Sequence, residues 1–278
     1  MAEKVWFMTG CSRGFGRLWA EAALKRGDRV VATARDDSRL KPLAEAFPDS
    51  ALVLPLDVTE RSAVFDAVAA ARRRFGRLDV IVNNAGYGLR GAVEEVQETD
   101  VRELLDTNLL GALWVTQAAL LFLREQGSGH LVSVSSLAGL VGEPTMGLYN
   151  ASKWALEGMM DALSREVAHL GIKVTIIEPG PYATEFAGAG SLKQSPEIPA
   201  YDEARRALLA GFDPADVADP AATPPAVFAV VDAAAPRPGQ GGPAEGPQPL
   251  RRAAVHLGRM GRGRRTRPRP VTDQNLFP

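Results

Sequence analysis

The chain has 278 residues, 46% apolar and 23% charged, with a formal net charge of −1. That length suits one large α/β domain or two small ones, and the composition is too apolar for a chain disordered throughout. No run approaches the roughly 18 consecutive apolar residues of a membrane span, and the lone Cys11 leaves no internal disulfide or cysteine-built zinc cluster.

His130, His169 and His256 lack ligand spacing, so no metal site is expected. The four apolar residues after Lys4 are too few for a secretion signal, which makes the cytoplasm the expected compartment. Charge then divides the chain. Residues 233–278 hold nine Arg, no Lys and two acids, leaving 23 bases against 31 acids in residues 1–232. Eight Pro and seven Gly fall in the same 46 residues. Residues 1–232 therefore read as the folded domain and 233–278 as a disordered tail.

Strands are predicted over 4–9, 29–34, 51–56, 80–83, 131–135 and 172–178. Helical patterns fall around Leu18 and Ala22, and near 38–47, 60–75, 98–126, 146–169, 201–212 and 223–232. Short apolar strands alternating with helices predict a parallel sheet covered on both faces. Right-handed crossovers make it a doubly wound α/β domain, with ligands at the carboxyl ends of the strands.

The first strand runs into Thr9-Gly10-Cys11-Ser12-Arg13-Gly14-Phe15-Gly16 and then a helix. Glycines permit a tight turn and close backbone approach, and free N–H groups at a helix start attract a pyrophosphate. The spacing differs from the general dinucleotide fingerprint, so its place between strand and helix is what gives it meaning. At the end of the second strand an acid would select NAD and a base NADP. Arg35 stands there, with Asp36 and Asp37 beyond it, and Arg13 offers a second fork. NADP is the expected cofactor, with NAD less favoured.

Tyr149 and Lys153 share one helical face with Leu156, Met160, Leu163 and Val167. An ammonium one turn from a phenol is expected to lower the phenol's pKa toward acid–base service. Ser136 closes the fifth strand, where its hydroxyl can hold a carbonyl oxygen; Ser133 and Ser135 compete for that role. Asn108 interrupts the apolar stripe Val101, Leu105, Ala112, Val115, Ala119 and Phe122. A buried amide costs about 1–3 kcal/mol unless bonded, so it needs a partner, structural or in a water-linked relay to Lys153.

Together these residues resemble the short-chain dehydrogenase/reductase family. The likeness rests on the Thr9–Gly16 turn, Asp57-Val58, Asn83-Asn84-Ala85-Gly86, Asn108, Ser136, Tyr149-Asn150-Ala151-Ser152-Lys153 and Pro179-Gly180, in family order across residues 4–232. The turn and Ala32-Thr33-Ala34-Arg35 look most like steroid- and retinol-type members. The resemblance implies a Rossmann-type fold and an oxidoreductase interconverting an alcohol and a carbonyl compound. Tyr149 would be the acid/base, Lys153 its modulator and ribose holder, Ser136 the carbonyl anchor and Asn108 the end of the relay. Gly10, Ser12, Arg13, Gly14, Phe15, Gly16 and Arg35 would hold the phosphates. Asp57 and Val58 would border the adenine, and Asn84, Ala85 and Gly86 the ribose. Pro179, Gly180, Tyr182 and Thr184 would flank the nicotinamide, Tyr182 replacing the family's usual small aliphatic residue. Pairing of helices 98–126 and 146–169 would make a homo-oligomer. A non-catalytic dinucleotide sensor is the alternative on this scaffold.

Residues 185–200 hold two glycines, two prolines and few apolar anchors, so they read as a lid that closes on substrate. In the tail, the arginine run 262–269 has no interleaved aromatic residue, so no specific nucleic-acid partner is expected. No apolar run there suggests a seventh strand, which would leave the sixth with an open edge. Arg, Pro, Gly and Ala without lysine suggest an out-of-frame or diverged terminus.

Overall fold

The first strand shows how the chain divides between two faces. In the computed structural model, which describes residues 3–188, 190–233 and 251–253, Val5 and Phe7 of β1 (Val5–Met8) enter one apolar core. Trp6 and Met8 enter the other. This two-residue alternation marks a strand buried on both sides. Further strands are β2 (Arg29–Ala34), β3 (Ala51–Pro55), β4 (Val80–Asn83), β5 (Gly88–Arg90), β6 (Gly129–Val134), β7 (Ile172–Ile177), β8 (Leu192–Gln194) and β9 (Arg251–Ala253). The main sheet is parallel throughout, in the order β3-β2-β1-β4-β6-β7-β9. The reversal of order between β1 and β4 creates the crevice of a doubly wound sheet.

The helices are α1 (Gly14–Lys25), α2 (Lys41–Ala46), α3 (Arg61–Phe75), α4 (Glu98–Leu105), α5 (Gly111–Gln126), α6 (Gly147–Val167), α7 (Asp202–Ala210) and α8 (Pro224–Asp232). Helices α1, α2 and α8 pack on the Trp6 face, while α3, α5 and α6 pack on the Phe7 face. Several crossovers turn on a left-handed glycine; α3 stops at Gly76 (φ 76°) and α5 at Gly127 (φ 66°). All six predicted strands are present.

Three expectations need correction. The helix predicted over 98–126 contains a wide π turn at Asp106–Leu110 between α4 and α5, which sets Asn108 into the protein. This stretch is also long and apolar enough to cross a membrane by length and composition, with a mean hydropathy of 1.3 over eighteen residues; here Val115, Ala119 and Leu123 pack in the core. Second, β5 and β8 form a small parallel pair outside the main sheet, which no sequence pattern announced. Third, β9 covers the edge of β7, with Thr175 opposite Arg251 and Ile177 opposite Ala253. An edge strand of three residues pairs through its backbone and needs no apolar run. The rest of the predicted tail, including the arginine run 262–269, lies outside the described residues.

Candidate active site

The glycine turn is built for close backbone approach. Gly10 and Gly14 take left-handed angles, φ 69° and 56°. A Cβ on Gly16 would lie 2.5 Å from the Gly10 carbonyl oxygen and 2.6 Å from Asn84 Nδ2, and one on Gly10 would lie 2.9 Å from Ala85 Cα. Asn84 Nδ2 donates to the Thr9 and Gly10 carbonyls at 2.9 and 3.0 Å. Thr9 Oγ1 accepts the backbone N–H groups of Asn84 and Ala85, each at 3.0 Å. Asn84, expected beside a ribose, thus also braces the turn. Cys11 is fully buried, its thiol donating to Met8 O at 3.4 Å.

This turn opens onto a cleft of about 1500 Å³ at the carboxyl ends of the strands. Every predicted cofactor or catalytic residue lines it except Gly16, which supports the turn from behind, and Asn108.

Tyr149 and Ser136 both line the cleft, the serine hydroxyl near enough to the phenol to bear on its ionisation. Ser136 Oγ accepts Ala138 N at 3.1 Å, which fixes its rotamer at the start of a short helical turn. Ser133 is instead bonded by Asn83 Nδ2 at 3.3 Å inside the core. Burial pushes the Tyr149 phenol up to about 12; the nearby Ser136 hydroxyl pulls it down and Glu143 raises it further. The expected lowering by Lys153 is absent. The Lys153 ammonium donates to Val134 O at 2.9 Å, and burial depresses it to about 8, against the opposing pull of Glu157. Desolvation outweighs pairing at both groups.

Asn108 takes the structural option. Its Oδ1 accepts Tyr87 N at 3.0 Å, and its Nδ2 donates to Tyr87 O at 3.0 Å and to Ser152 Oγ at 3.1 Å. The amide locks the segment after β4 to α6, and its side chain is not bonded to Lys153.

At the far end of the cleft, Arg35 is exposed and faces the opening. Asp36 turns away, its carboxylate accepting Ser38 N at 2.9 Å, and neither it nor Asp37 lines the cleft. Arg13 is bonded to the Gly190 carbonyl. Asp57 is engaged by Thr59 N and Oγ1 at 3.0 and 2.8 Å. The Tyr182 ring meets Phe15 edge-on at 5.1 Å, and Phe15 stacks on Trp19 at 5.2 Å, which fills the place of a smaller residue.

The lid has firmer anchors than its composition suggested. Strand β8 pairs with β5, burying Leu192. Glu95, whose side chain is fully buried, forms an ion pair with Arg205 and accepts Ile198 N and Ala92 N, both at 2.6 Å. Lys193 bridges Asp100 and Glu103 at 2.6 and 3.0 Å. Sequence reasoning missed this clamp, because its partners lie about a hundred positions apart and carry no motif.

A family model described as short chain dehydrogenase matches residues 4–194. The chain belongs to that family. This dehydrogenase is 42% identical over 210 residues to Oxidoreductase BOA17 of Botryotinia fuckeliana, covering 75% of each chain. A solved short-chain dehydrogenase from Streptomyces avermitilis superposes with a TM-score of 0.76 at 41% identity, over 84% of this chain and 85% of that one. The structure of ElxO with NADP bound gives a TM-score of 0.69 at 25% identity, over 84% and 92%. By family, the protein is an NAD(P)-dependent dehydrogenase or reductase.

Proposed function

We propose that this dehydrogenase uses NADP(H) to interconvert a secondary alcohol and a ketone or aldehyde, with Tyr149 moving the proton. The observation that carries the reading is the placement of the Tyr149 and Ser136 hydroxyls together in the cleft, with Lys153 beside them. Two hydroxyls side by side offer a carbonyl oxygen two donors, and the phenol, neutral across the physiological range, has a proton to deliver. When bound, the nicotinamide supplies or accepts the hydride. Lys153, buried beneath Tyr149, is suited to hold a ribose hydroxyl, and Asn108 keeps α6 in register with the segment after β4.

Several solved neighbours hold NADP and one holds NADH, so the preference rests on this cleft. Arg35 lines it and forms no ion pair among the described residues, which favours a 2′-phosphate. The walls are apolar at Leu137, Met146 and Phe186, consistent with a bulky substrate. The likeness to steroid- and retinol-type members at Cys11 carries no weight for substrate, since that thiol is sealed in the core. Leu121 on α5 and Trp154 on α6 are about half exposed, which supports self-association through these helices. A cytoplasmic location completes the proposal.

The test is Tyr149→Phe. Turnover with NADPH should vanish while NADP binding stays nearly intact; a variant that still turns over at the parent rate would reject the mechanism.

A further inference from the structure

Arg90, the last residue of β5, lines the catalytic cleft without a partner among the described residues. Its Nε is shut off from solvent and makes no hydrogen bond. A buried donor left unpaired is costly, so the position calls for a partner. The chain pairs three of its four other cleft cations. Arg13 holds Gly190 O, Lys153 holds Val134 O and Lys193 holds two carboxylates. Arg35 lies at the other end of the cleft, where it is exposed to water.

Where Arg90 sits gives its orphan state a chemical meaning. Leu89 enters the apolar cluster that holds Tyr149. Gly88 and Arg90 therefore share the opposite side of the strand. A Cβ on Gly88 would lie 3.1 Å from the Phe186 ring, whose centre is 5.8 Å from that of Tyr149. Arg90 is then about 7 Å further along the wall, two residues at strand rise. Its backbone is fixed on one side by Ser195 N donating to Arg90 O at 2.9 Å and, one residue on, by Gly91 N donating to Thr145 O at 2.8 Å.

We propose that Arg90 is a substrate-recognition residue, and that the substrate is a carbonyl or hydroxy compound bearing a carboxylate, joined to the reacting carbon by a short apolar spacer. The acid takes the two Nη nitrogens end-on, a bidentate pairing that guanidinium geometry allows, while Nε, shut off from solvent, stays outside the contact. The reacting oxygen meets Tyr149 and Ser136. Glu143, on the same cleft, is exposed and hydrated, and its charge turns an acid away from its own wall. This inference rests on the proposed function above, because it needs Tyr149 and Ser136 to hold the oxygen.

The experiment compares levulinate, benzoylformate and benzoylpropionate with their methyl esters as substrates with NADPH. In parallel, calorimetry measures binding of each acid to the protein loaded with NADP. At least one acid should exceed its ester by tenfold or more in kcat/KM. Arg90→Met should cut that acid-to-ester ratio at least tenfold, through KM, with Arg90→Lys intermediate and Glu143→Gln shifting the ratio the other way. Acid binding abolished by Arg90→Met, with no compound turned over, would sustain the acid site and count against the hydride-transfer reading. A ratio unmoved by Arg90→Met, esters preferred throughout, or no acid bound or reduced would overturn the proposal.

Discussion

Lys153 stands 5.9 Å from the centre of the Tyr149 ring, yet its ammonium donates to Val134 O instead of the phenol. Spacing by one helical turn brought the two groups to the same site without coupling them directly. Burial therefore governs each, raising the phenol to about 12 and lowering the ammonium to about 8.

A pH profile follows from the signs. A phenol with a raised pKa keeps its proton through neutral pH, so the chemical step of carbonyl reduction should be flat between roughly pH 6 and 8. Alcohol oxidation needs the phenolate and should climb with pH by close to tenfold per unit over the same range. Single-turnover rates in both directions check this. A reduction step that falls steadily from pH 6 would show the phenol ionising far below its apo value.

The glycine turn makes a steric prediction. Gly16→Ala drives a methyl group onto the Gly10 carbonyl oxygen and Asn84, and overpacking of this kind costs about 1–3 kcal/mol. Urea melts should show that loss together with weakened NADP binding. Gly158→Ala is the control: nothing lies within 4 Å of its Cβ position in α6, and removing a mid-helix glycine should stabilise by about 0.5–1 kcal/mol. Equal behaviour of the two variants would contradict the packing.

The lid clamp is open to a similar test. Glu95→Ala leaves the Ala92 and Ile198 N–H groups unpaired in a buried setting and Arg205 with Asp202 and Glu197 only as ion-pair partners; a buried donor left unpaired costs about 1–3 kcal/mol. Thermal melts should drop, and trypsin should cut near Lys193 and Arg205 faster than in the parent. Glu95 is held below the usual carboxylate range, chiefly by the Ile198 N–H. The clamp is therefore complete above the ordinary glutamate pKa and is released only as pH falls through the depressed value. Lid cleavage already accelerated at pH 5 would argue against it.

Cofactor choice should turn on one side chain. Arg35→Asp is expected to move the ratio of NADP to NAD dissociation constants by tens of fold toward NAD, since charge-assisted bonds contribute about 1.5–3 kcal/mol each. An unchanged ratio would place the 2′-phosphate elsewhere.

What could be read in advance depended on local pattern. The apolar run Val5–Met8 and the helical face from Tyr149 to Val167 are each set by neighbours in sequence, and each emerged where expected. Asn108 stood out as a polar break in an apolar stripe, but whether it served a relay or a brace depended on Tyr87 and Ser152, far apart in the chain. Strands β5, β8 and β9 are three residues each, too short for a period of two to show. The Tyr149 ionisation was misjudged because spacing reports proximity and says nothing about desolvation.

One contact ties the two halves of the cleft together. The Arg13 guanidinium, placed in the glycine turn, is held by the Gly190 carbonyl just ahead of the β8 strand of the lid. A dinucleotide phosphate arriving at the turn would draw that guanidinium to itself and let go of the carbonyl. The lid would then loosen on one side when the coenzyme docks, while the Glu95 clamp still holds the other. Kinetically, such a linkage is a queue: coenzyme first, organic substrate second, with release in the reverse sequence.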